Sequence, residues 1–167
     1  MNNIIVPNWH PLFVHFPIAL LVAAAGLLAA AFFWKEGAVR SKLYQSGLIN
    51  LWLGTVGAGA AIATGLYASL TVQHDELGHM AITRHMHWAL LTLALSLLTA
   101  AVAIRFRRKD RPTTLMLALA LLCAAAVGVT GYLGGENVFR HGIGVMRLPG
   151  AAEHHHHSLF DQDGDHE

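Results

Sequence analysis

The chain has 167 residues, a length that suits one compact unit. It is 54% hydrophobic, only 13% charged and carries a formal net charge of +1. That balance excludes an ordinary soluble domain and gives no electrostatic reason to expect a nucleic-acid partner. The single cysteine, Cys123, excludes an internal disulfide, an iron–sulfur site and covalent haem attachment, and it reads as a small core residue.

The apolar residues fall in four runs, Pro11–Trp34, Leu48–Val72, His87–Ile104 and Thr113–Gly134. Each has roughly the 20 residues needed to cross a hydrocarbon core of about 30 Å. Their Leu/Ala/Val content and lack of two-residue alternation predict helices rather than barrel strands.

The first run opens Trp9-His10-Pro11 and continues through His15 to Pro17. Pro11 suits a first helical position, where its missing N–H is not needed. His10 is then expected at the interface and His15 just inside the membrane, near a backbone loosened by Pro17. No Lys or Arg precedes the run, so a retained helix is expected rather than a cleaved signal. The first connection carries Lys35, Arg40 and Lys42.

The second run contains the small-residue stretch from Gly54 to Gly65, which suits close helix packing or leaves room for a flat cofactor. His74, His79, Arg84 and His85 fill the second connection, with His87 opening the third run. His85 and His87 are two positions apart and face nearly opposite sides of a helix. His87, the deeper of the two, is the preferred ligand, with His85 as the alternative inward residue.

Arg105, Arg107, Arg108, Lys109 and Arg111 follow the third run. The fourth run ends with Gly131 and Gly135 in GxxxG spacing, then Glu136, Arg140 and His141. Glycine-rich sequence there allows the chain to turn back over the bundle mouth. Glu136 is placed to pair with Arg84, Arg140 or a histidine. Residues 1–148 are expected to form the membrane domain and 149–167 a flexible polar tail. The tail's His154, His155, His156 and His157 form a weak divalent-metal site at most.

Eight of the eleven Lys and Arg residues lie in the first and third connections, which share a side in an up-down-up-down bundle. The positive-inside rule makes that side cytoplasmic and puts both termini outside, as in a bacterial inner-membrane protein. All twelve histidines then face outward. No internal repeat is evident in the residue pattern.

Three helices thus bring histidines to one end. Two imidazoles from facing helices can ligate haem iron axially, and Arg84 and Arg140 are on the correct side to meet its propionates. The expected axial pair is His15 and His87, with His10 and His141 in supporting positions. The same histidines could instead gather zinc, copper or nickel.

The opening His10-Pro-Leu-Phe-Val-His-Phe-Pro-Ile-Ala-Leu20, the histidine entering the third helix, and the closing Gly131-Tyr-Leu-Gly-Gly-Glu-Asn-Val-Phe-Arg-His-Gly-Ile-Gly-Val145 resemble the bacterial membrane family called domain of unknown function 2231. The resemblance spans residues 9–147. It implies a four-helix membrane domain without an assigned reaction, sometimes joined to cytochrome c-like or iron–sulfur domains, and so a redox setting. By motif position it carries over His10, His15, one of His85 or His87, Gly134, Gly135 and Gly142.

Together these features predict an all-α, four-helix transmembrane bundle with an outward-facing histidine site. Haem b and electron transfer between a membrane quinol or partner subunit and a periplasmic redox protein lead the functional expectations. A divalent-metal accessory protein and a cofactor-free structural subunit, alone or as a homo-oligomer, are the alternatives. No nucleophile–base constellation points to hydrolysis.

Overall fold

A computed structural model describes residues 8–145. Four helices follow one another: α1 (His10–Phe33), α2 (Ala38–Thr71), α3 (Glu76–Arg105) and α4 (Thr114–Phe139). All four are long and apolar enough to cross a membrane. The tail, with its four consecutive histidines, lies outside the described residues.

The helices extend past the apolar runs. α2 has 34 residues and at about 1.5 Å per residue spans about 50 Å, well beyond the hydrocarbon core. α3 begins at Glu76 rather than near His87, because Asp75 caps it through an Oδ1 that accepts from the Gly78 N–H at 2.7 Å. His79, Arg84 and His85 therefore lie on a helix and not in a connection. Thr113 caps α4 in the same way, accepting from the Met116 N–H at 3.2 Å. Hydropathy marks the part of a helix that meets lipid, and capping marks where it starts.

Adjacent helices run antiparallel. α1 packs closely on α2 and α3 on α4, while the α1–α4 and α2–α3 seams are looser. Glycine sets the α1–α2 approach. A Cβ on Gly54 would lie 2.8 Å from Leu21, and one on Gly47 would lie 3.0 Å from Leu28. Pro17, buried in α1, seats on Gly57 in the same seam. The core is built of Leu21, Leu28, Leu51, Met116 and many alanines, with Ser96 and Thr99 fully buried and bonded back to their own helix carbonyls.

The basic end is fastened by Arg40. Its buried guanidinium donates to Asp110 at 2.7 Å and lies 3.6 Å from Glu36, tying the start of α2 to the α3–α4 connection. At the opposite end the looser seams leave a cavity.

Candidate functional site

A cavity of about 590 Å³ opens at the end of the bundle where α1 and α3 begin and α2 and α4 finish, lined by all four helices and largely apolar. Two imidazoles face each other within it. His10 on α1 places Nδ1 3.0 Å from the Ala61 carbonyl of α2, with Thr64 Oγ1 at 3.3 Å. His85 on α3 places Nδ1 3.0 Å from the Thr130 carbonyl of α4. A carbonyl only accepts, so Nδ1 carries the hydrogen in both rings and the lone pair of each neutral ring sits on Nε2. Neither Nε2 has a hydrogen-bond partner among the described residues, and neither is sealed from the cavity.

The ring centroids lie 6.3 Å apart with planes at 80°. Glycines make room for both. A Cβ on Gly65 would meet His10 Cε1 at 3.0 Å, and one on Gly134 would meet His85 Cε1 at 3.2 Å. Asn8 Oδ1 accepts from the His10 backbone N–H at 3.0 Å and steadies the start of α1.

This is a different pair from the one the spacing suggested. His15 is exposed at the cavity rim and turns Nδ1 back to the Pro11 carbonyl of its own helix, 2.6 Å away. Pro17 packs into the α1–α2 seam, so the face carrying His15 is the one left at the rim. His87 is exposed on the side of α3 away from the cavity. Depth along the helix suggested His87, but the angular position that points inward belongs to His85.

His141 is partly exposed just beyond α4 and does not line the cavity. Arg84 and Arg140 also lie off the lining. Both grip Glu136, at 2.6 Å and 3.3 Å, with the carboxylate largely covered and both arginines open to the surroundings. The chain then turns through Gly142 and Gly144, at φ +62° and +79°, so that Ile143 and Gly144 close over the cavity and Ile143 rests against Gly78. His74 and His79 form a second imidazole pair, with His74 Nε2 3.3 Å from His79 Nδ1 and His74 Nδ1 held by the Val72 carbonyl at 2.8 Å.

Among the described residues no group of three or more His, Cys, Asp or Glu side chains converges as a metal-ion site. What the cavity offers is two oriented nitrogen donors and an apolar wall; the nearby Arg84 and Arg140 lie off its lining, both bound to one carboxylate. Gly65 and the two carbonyl acceptors were not singled out by sequence reasoning. The only signal was the small-residue stretch ending at Gly65.

Fold and cavity together define a four-helix integral membrane protein with a two-histidine pocket at one end. The chain belongs to the family of predicted membrane proteins known as domain of unknown function 2231, whose profile matches residues 7–147. No curated protein and no solved structure matches it.

Proposed function

We propose that the cavity binds one haem b between His10 and His85, and that the protein carries electrons for a bacterial inner membrane, with the pocket on the periplasmic side. The observation that carries this reading is the pair of imidazoles with Nδ1 anchored and Nε2 free. That arrangement is the usual support of a metal-bound histidine, whose second nitrogen donates to a carbonyl. Two imidazoles on opposite sides of a metal put their centroids roughly 6 Å apart, from metal–nitrogen bonds of about 2.0 Å and about 1 Å from nitrogen to ring centre. The observed centroid separation of 6.3 Å allows that spacing. The cavity volume falls in the usual range for cofactor sites.

Haem brings four nitrogens of its own, so two protein ligands complete it, whereas a structural zinc site asks the protein for three or four. When bound, it would supply a one-electron couple, with the apolar wall limiting access of water. Arg84 and Arg140, on the same end but off the lining, would have to turn toward its carboxylates in exchange for part of their grip on Glu136. The basic opposite end supports a cytoplasmic placement for the α1–α2 and α3–α4 connections. A membrane quinol and a periplasmic redox protein are the proposed partners. Loose divalent-metal binding is a second reading, and the observation favouring it is the exposed His74–His79 pair.

The test is purification of the full chain in detergent after expression with ample haem, with oxidised and reduced visible spectra beside a metal analysis. One haem per chain with a low-spin b-type spectrum is expected. A colourless protein contradicts the proposal, and stoichiometric zinc, copper or nickel lost in His74→Ala favours the second reading.

A further inference from the structure

The two histidines are held in the same way. Each comes from the first helix of a hairpin. Each gives its Nδ1 hydrogen to a carbonyl of the second helix, Ala61 or Thr130. In each case a glycine four residues after that carbonyl, Gly65 or Gly134, faces the Cε1 edge of the ring.

These contacts set two offsets, 75 positions from His10 to His85 and 69 from Ala61 to Thr130, and neither was chosen from burial. Burial nevertheless follows the first closely and the second along one stripe of α2 and α4. Moved by 75, the buried Pro17, Leu21, Ala24, Ala25 and Leu28 of α1 fall on Thr92, Ser96, Thr99, Ala100 and Ala103, which with Gly78 make up the buried residues of α3. Only Ala31 finds no buried counterpart, because it falls on Phe106 beyond the end of α3. Moved by 69, Gly47, Leu51, Gly54 and Ala58 of α2 fall on Met116, Ala120, Cys123 and Val127 of α4, all buried, whereas Thr55 and Ala61 fall on the half-buried Ala124 and Thr130, and Leu117, Ala126, Leu133 and Asn137 of α4 answer to half-buried positions of α2. A shared helical period alone would leave the phase between two helices free. Here the histidine contacts predict the phase of α1 against α3, and that of the Gly47–Ala58 stripe of α2 against α4.

We infer that the bundle is two copies of one histidine hairpin, α1–α2 and α3–α4, and that a cavity ligand sits between the copies, taking one imidazole from each on opposite faces. Gly65 and Gly134 are the positioning residues of the two half-sites. Each lets its ring lie against the neighbouring helix, and so sets the width of the gap that the ligand must fill. The ligand this arrangement fits is a flat metal complex with two equivalent axial positions. That last step rests on the haem reading, whereas the repeat itself does not.

The experiment has two arms on the full chain in detergent. In the first, nitrogen-15 NMR of the imidazoles without added ligand reads the tautomers. Both His10 and His85 are expected with hydrogen on Nδ1, with Gly65→Ala moving only the His10 signals and Gly134→Ala only those of His85. Hydrogen on Nε2 in either ring of the unsubstituted protein overturns the repeat, whatever the variants do. In the second arm haem is the probe. Each alanine variant is expected to convert a similar share of low-spin haem to high-spin, and loss of ligation in one variant beside an unchanged spectrum in the other overturns the equivalence. The expected tautomers without any haem uptake would defeat the haem reading and leave the repeat standing.

Discussion

His85 and His87 show how a shift of two residues along a helix decides chemistry. The same helix turns one imidazole to a carbonyl and a cavity and leaves the other exposed on the far side. His10 and His15 divide the same way on α1. His87→Ala and His15→Ala are therefore expected to change unfolding free energy in detergent by no more than about 0.5 kcal/mol, as for other surface positions. Chemical or thermal unfolding followed by circular dichroism checks this, and a loss of several kcal/mol at either position would show that these rings are held in the folded protein. The sequence made the histidine-rich end legible and carried five histidines as candidates. It left open which of His85 and His87 turns inward, because that depends on how α3 is rotated against α4, and the carbonyl that fixes the rotation is a backbone group with no mark in the residue pattern.

At the scale of the element, the helices themselves were plain from hydropathy, while their ends were not. Capped by Asp75, α3 starts at Glu76, eleven residues before the third apolar run begins at His87, and this places His85 a full two turns inside a helix. Close approach through glycine is the other determinant. In Gly54→Ala the new Cβ would lie 2.8 Å from the side chain of Leu21, a core residue 2% exposed, which must shift to admit it. Overpacking of this kind costs about 1–3 kcal/mol, so the variant should unfold at lower denaturant concentration than the parent. An unchanged midpoint would mean that α1 and α2 are further apart than described. Gly26→Ala, where an added methyl meets nothing within 4 Å, is the matching control and should be near neutral.

At the scale of the whole molecule, the four-span architecture follows from four long apolar segments, and its chemistry follows from an asymmetry between the ends. Most of the basic residues and the buried Arg40–Asp110 pair occupy one end, and the inward histidines and the cavity occupy the other. The repeat of the two hairpins escaped sequence inspection because matched positions share burial and not identity, as in Leu21 with Ser96 or Gly54 with Cys123. If the basic end is cytoplasmic, a cysteine replacing His141 should react with a membrane-impermeant thiol reagent on intact spheroplasts, and one replacing Lys109 should react only after permeabilisation. Cys123 is buried, and a Cys123→Ser background removes any contribution from it. The reverse labelling pattern would invert the topology.

The central claim is that one imidazole from each hairpin meets the same ligand, and it is tested most directly by the visible spectra of haem-loaded His10→Ala and His85→Ala beside His15→Ala and His87→Ala. Either of the first two substitutions is expected to abolish the low-spin spectrum, and neither of the last two to alter it. A low-spin spectrum that survives in His10→Ala or His85→Ala and disappears in His15→Ala or His87→Ala would contradict it.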